Sequence, residues 1–141
     1  MHLLLTLAFA LNSFAIDLAA IKAEPKLEKR SDFALQYADS QIDAARDAYK
    51  KGDLDATHAA LREVISGVEL SYDSLMATGK DPRRNAGPFK NAEKTTRKIM
   101  RRLDNLSASM SAFDRGAVEP VQRAVSDIHD KLIIGIMGKK K

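Results

Sequence analysis

The chain has 141 residues, 23 basic and 19 acidic side chains for a net charge of +4, and neither Cys nor Trp. That length holds one domain and leaves little for a second, and 45% apolar with 30% charged residues is the balance of a folded chain rather than a disordered one. The lack of Cys excludes a disulfide framework, thiolate zinc sites, iron–sulfur ligation and cysteine nucleophiles, and seven Gly with four Pro are too few for a loop-rich β-sandwich.

Residues 3–11 read Leu-Leu-Leu-Thr-Leu-Ala-Phe-Ala-Leu, a short uncharged apolar core. Ser13 and Ala15 then place small side chains at the two positions a signal peptidase reads. The segment resembles a secretory signal peptide over 1–15, with cleavage as late as about residue 23, although His2 alone stands where Lys or Arg is usual. The alternative is a membrane anchor over 3–21, which has the length of a bilayer span but carries Asp17 near its end. A buried N-terminal helix of a cytosolic protein is the third reading. Residues 16–24 are expected to be a linker.

From residue 25 the spacing is helical and no period-two alternation of β-branched residues occurs. The expected fold is all-α: an antiparallel up-down-up-down four-helix bundle over 25–138, preceded by the signal-like segment and followed by a basic tail at 139–141. The first helix (about 25–51) opens at Pro25. Its stripe is Leu27, Ser31, Ala34, Ala38, Ile42, Ala45 and Tyr49, small enough for a neighbouring helix to approach closely. Gly52 suits a left-handed helix end, and Asp53 suits the cap of the second helix (about 54–78). That helix has the stripe Leu54, Leu61, Val64, Ile65, Val68, Tyr72, Leu75 and Met76. The third (about 88–114) has the clearest pattern: Phe89, Ala92, Thr96, Ile99, Leu103, Leu106, Met110 and Phe113 alternate steps of three and four, a coiled-coil-like seam. Gly116 is read as its stop. Pro120 starts the fourth (about 119–137), with Val121, Val125, Ile128, Leu132 and Ile136 facing the core.

Tyr49-Lys50-Lys51-Gly52-Asp53-Leu54-Asp55-Ala56 resembles the turn between the paired helices of a tetratricopeptide repeat. The resemblance covers these eight residues; a small residue is then expected where Thr57 stands, no Pro closes the second helix, and both helices exceed a 34-residue repeat. It implies an αα-hairpin turn and no ligand groove.

The chemical motifs fail. His58 and His129 stand alone, and the Glu-x-x-His pairs of di-iron bundles do not occur. Asp53-x-Asp55-x-Thr57 opens like a calcium loop, but His58 takes the place of its glycine and Val64 that of its closing glutamate. Gly79-Lys80 has Ser74 where a phosphate loop needs its first Gly. No nucleophile elbow occurs, and the carboxylates lie on faces expected to be solvated. Asn105-Leu106-Ser107 is a glycosylation sequon inside an expected helix. Neither catalysis nor a metal or cofactor is expected.

Charge is unevenly spread. Residues 80–102 carry nine basic and two acidic side chains, a net of +7, and the rest of the chain nets −3. Lys80, Arg83, Arg84, Lys90, Lys94, Arg97, Lys98, Arg101 and Arg102 are therefore the candidate anion-binding residues. One reading pairs them with Asp53, Asp55, Glu63, Glu69 and Asp73 of the second helix, taken as the spatial neighbour of the third. The other leaves them facing solvent for lipid head groups or a polyanion; with no aromatic side chain interleaved, nucleic acid is not expected. A second candidate surface is Leu132-Ile133-Ile134-Gly135-Ile136-Met137-Gly138, apolar on every side and followed by three lysines. It could cap the core, enter a partner's groove or rest on a membrane. The leading functional expectation is a non-catalytic exported bundle acting through protein–protein contacts, with an unidentified partner or as a homo-oligomer. The alternative is a binder of anionic surfaces through 80–102.

Overall fold

The computed structural model describes residues 17–138; the signal-like residues 1–16 and the tail 139–141 lie outside the described residues. Between those limits the chain is helical: α1 (Leu18–Lys22), α2 (Leu27–Lys50), α3 (Leu54–Ala77), α4 (Ala86–Ser109) and α5 (Glu119–Met137), with a short 3₁₀ turn at Arg115–Ala117. No helix among them is long and apolar enough to cross a membrane.

The four long helices pack against one another around the expected stripes. Ser31, Ala34, Ala38, Ile42 and Ala45 of α2 are buried, as are Leu61, Val64, Val68 and Leu75 of α3. So are Phe89, Ala92, Thr96, Ile99, Leu103 and Leu106 along α4, Met110 just past its end, and Val121, Val125, Ile128 and Leu132 along α5. The closest approach is between α2 and α3. A Cβ placed on Gly67 would stand 2.8 Å from the Ala34 carbonyl oxygen and 2.9 Å from the Ala38 Cβ. The seryl pair Ser31 and Ser71 meets in the same interface, Oγ to Oγ at 2.7 Å, so neither buried hydroxyl lacks a partner. The turn between these helices follows from its residues: Gly52 has φ 75°, and Asp53 Oδ1 accepts the Ala56 N–H at 3.0 Å.

Side-chain contacts give the helix directions. Ser31–Ser71 and Tyr37–Glu63 run α2 against α3. His129–Glu93 and Gln122–Asp104 run α5 against α4. Lys98–Asp39 and Arg102–Asp43, however, set α4 parallel to α2. Lys131 over the Tyr72 ring, with Ala117, Pro120 and Val121 beside His58, Leu61 and Ile65, sets α5 parallel to α3. The molecule is thus two antiparallel hairpins side by side, and residues 78–85 carry the chain across the bundle diagonal. α3 and α4 barely touch, which corrects the expectation that the second and third long helices are neighbours.

Three further expectations are corrected. The linker expected over 16–24 contains α1: Asp17 caps it, its Oδ1 accepting the Ala20 N–H at 2.8 Å, and Ile21 is buried. Of the alternative membrane span over 3–21, the described residues 17–21 are this cap and the start of α1. The third long helix ends at Ser109 rather than near 114, because Met110 is extended and Ser111 opens a new turn. Ser111 Oγ accepts the Asp114 N–H and donates to the Asp114 carboxylate, while the Ser111 N–H is taken by the Tyr49 hydroxyl. Phe113 therefore leaves the seam and is 95% exposed, and Val118 closes that end of the core instead. Leu54 and Met76, expected in the α3 stripe, stand in its terminal turns and are exposed.

Candidate anion-binding face

Five of the nine candidate cations lie on the outer side of α4 and one reaches inward. The inward one is Arg102. Its guanidinium donates to the Asp39 carboxylate at 2.7 Å, to the Asp39 carbonyl at 2.9 Å, and to Asp43. Its side chain is only 20% exposed. Burial works against its charge but is outweighed by the bonds to Asp39 and Asp43, so its pKa rises above the usual arginine value. Lys98 Nζ reaches the other Asp39 oxygen at 3.3 Å. Asp39 and Asp43 on α2 thus face Lys98 and Arg102 on α4, each pair four residues apart along parallel helices. The balancing carboxylates are on α2, not on α3 as the sequence reading supposed, because α3 lies across the diagonal.

The remaining cations are more exposed than Arg102. Lys80 Nζ bonds Glu28 Oε1 at 2.8 Å, tying the α3–α4 loop to the start of α2. Arg83 and Arg84 share Asp81, at 3.7 and 4.0 Å. Arg97 lies 3.5 Å from Glu93, which also receives His129 at 2.9 Å. Lys90, Lys94 and Arg101 are exposed and make no ion pair among the described residues. Lys90, Lys94, Arg97 and Arg101 follow steps of four, three and four. They form one ridge about 16 Å long at 1.5 Å per residue.

The structure gathers the nine residues into two unequal groups, and sequence reasoning missed what divides them. The signal was present as two i, i+4 pairs of opposite sign, Asp39/Asp43 and Lys98/Arg102, but it is legible only when α2 and α4 are known to be parallel neighbours. Sequence reasoning also missed the node at the opposite end of the bundle. There the Tyr49 hydroxyl donates to Asp114 at 2.8 Å and accepts the Ser111 N–H at 3.0 Å.

Other concavities offer less to an anion. A groove of about 330 Å³ between α4 and α5 is lined by Met100, Asp104, Glu119, Gln122, Arg123 and Ser126, with two carboxylates against one guanidinium. No group of side chains suited to a metal ion occurs among the described residues. The C-terminal apolar run is divided: Leu132 is buried, Ile133 and Ile136 are half-buried, and Ile134 and Met137 face solvent. Comparison with protein-family models, with curated proteins and with solved structures finds no match to this chain.

Proposed function

We propose that this is a non-catalytic, exported helical-bundle protein that binds anionic surfaces through the outer ridge of α4. The observation that carries the reading is the unmatched charge of Lys90, Lys94 and Arg101, which stand on a helix whose opposite face supplies the bundle seam. A rigid cationic ridge releases condensed counterions from a polyanion when it binds, and that gain weakens as salt rises. Binding to heparin or to phosphatidylglycerol vesicles is expected to fall at least about tenfold between roughly 50 and 200 mM salt. Replacing Lys90, Lys94, Arg97 and Arg101 by Gln, which leaves the Arg102 network untouched, is expected to weaken it at least about tenfold. Unchanged binding by that variant would remove the reading.

Export is part of the proposal. The apolar run at 3–11 and the small residues at Ser13 and Ala15 support it, and cleavage after Ala15 keeps the Asp17 cap and buried Ile21 in the mature chain. Mass spectrometry of the mature N-terminus tests it: an intact Met1 in the native host argues against export.

A second reading, self-association, is favoured by Phe113, which is 95% exposed on the turn after α4. Light scattering on the eluting protein is expected to give a mass above 15.5 kDa that returns to monomer in Phe113→Ser. A wild-type monomer at high concentration counts against it.

A further inference from the structure

The end of the bundle that carries the α3–α4 loop combines apolar and cationic side chains in one place. Pro82 packs on the last turns of α5: a Cβ built on Gly135 would lie 3.3 Å from Pro82 Cγ. Arg83 reaches further, and the same construction on Gly138 meets Arg83 Cδ at 2.8 Å. Arg83 is therefore held against the α5 terminus, where Ile134 is 57% and Met137 74% exposed. These two residues, three apart on a helix, share one face. With Tyr72 opposite Lys131 on parallel helices, four further residues bring Met76 level with Gly135, and Met76 is 48% exposed. Lys80, Arg83, Arg84 and Lys90 stand around this end, with Asp81 and Glu28 as their local counter-charges; the exposed Asp73 and Asp130 lie one turn back from Met76 and Ile134, away from the end.

We propose that this end of the bundle docks on an anionic lipid surface, with Ile134, Met137 and Met76 entering the headgroup region and Arg83, Arg84 and Lys90 contacting lipid phosphates. The inference rests on the anionic-surface reading above and names its source. A soluble polyanion offers charge but no apolar phase, so it leaves Ile134 and Met137 in water. An anionic bilayer offers both, and exposed apolar side chains with Arg83 held beside them combine the two features of an interfacial binding surface. In sequence the chain continues past Gly138 as three lysines, of the same sign.

The test compares three proteins, wild type, Ile134→Ser/Met137→Ser, and the Lys90, Lys94, Arg97 and Arg101→Gln variant, on three probes. These are phosphatidylglycerol-rich vesicles, phosphatidylcholine vesicles and heparin. The two serine substitutions fall on exposed side chains, so the fold is expected to stand, with circular dichroism as the check. The expected result is wild-type binding to anionic but not zwitterionic vesicles, a loss of at least tenfold in the serine variant on vesicles, and unchanged heparin binding by that variant. If the serine variant binds anionic vesicles like wild type, or wild type binds heparin alone, the docking proposal is overturned while the anionic-surface reading stands. If wild type binds neither anionic vesicles nor heparin at low salt, both fall together.

Discussion

Thr96 is the one buried side chain among the described residues whose polar atom has no partner: its hydroxyl sits in the α4 seam without a hydrogen bond. An unsatisfied buried hydroxyl carries a desolvation penalty of about 1–3 kcal/mol, and Val has nearly the same shape. Thr96→Val is expected to raise unfolding free energy by about 1 kcal/mol in urea titrations. Gly67 is the opposite case. Gly67→Ala improves helix propensity by about 1 kcal/mol, but its Cβ lands on the Ala34 carbonyl, where backbone has to move. Overpacking of this kind costs about 1–3 kcal/mol, so the net change is expected to be destabilising. Two titratable groups give pH signatures. Burial first, and then the bond to Glu63, push the Tyr37 phenol up to about 12 from 10.0. Its neutral form is the one the fold prefers, so that stabilisation is complete below pH 10 and lost as pH rises through about 12. A spectrophotometric titration should lose its most alkaline tyrosine component in Tyr37→Phe. Asp32 is raised from 3.8 by partial desolvation and then by Glu28 one turn earlier. Its ionised form opposes folding, so the penalty is present at neutral pH and fades as pH falls towards 3.8 and below. Asp32→Asn is expected to add about 0.2–0.5 kcal/mol at neutral pH, the scale of a like-charge pair one turn apart, and nothing at low pH.

At the scale of the elements, periodicity and capping chemistry were the legible part. The alternation of three and four along α4 located seven buried residues, from Phe89 to Met110, and α5 spans the expected 119–137. Gly52 and Asp53 identified the α2–α3 turn because their backbone and capping preferences are local. Phe113 continued the same alternation, yet the helix had already ended. The Ser111–Asp114 turn offers the backbone a competing set of hydrogen bonds, and Tyr49 from a distant helix completes it. No window of sequence around Phe113 contains Tyr49. The same holds for α1, whose short length becomes stable only by seating Ile21 on the bundle. Ile21→Ala is expected to lower the thermal midpoint, with a cost of about 2–5 kcal/mol if the site is as well packed as its burial indicates. An equal midpoint in the two proteins would detach α1 from the cooperative fold.

At the scale of the whole molecule the ion pairs follow the lateral order of the helices. Arg102 joins α2 to α4 through two carboxylates and a carbonyl, with most of its side chain out of solvent. Hydrogen bonds to charged groups contribute about 1.5–3 kcal/mol, whereas exposed pairs contribute about 0–1. Arg102→Gln is therefore expected to destabilise the bundle measurably, and Lys94→Gln to leave denaturation unchanged while weakening binding to anionic vesicles. Observing the reverse order would mean that the ridge is structural and the Arg102 network dispensable. The division also gives the salt dependence its meaning. Raising salt should screen the solvent-facing ridge strongly and the part-buried Asp39–Arg102 contact weakly.

Hydrophobic spacing, turn chemistry and charge segregation are written along the chain, since each depends on residues within a few turns of one another. They suffice for an all-helical domain with four long amphipathic helices and a cation-rich third long helix. Which helices lie side by side is a different kind of fact. It depends on residues 78–85 crossing the diagonal to rest Pro82 on Gly135, and on Asp39 and Asp43 meeting Lys98 and Arg102 from a helix that is not next in sequence. Those pairings are separated by some sixty residues, so no local preference encodes them. The folded packing alone determined which cations became internal ties and which were left facing water.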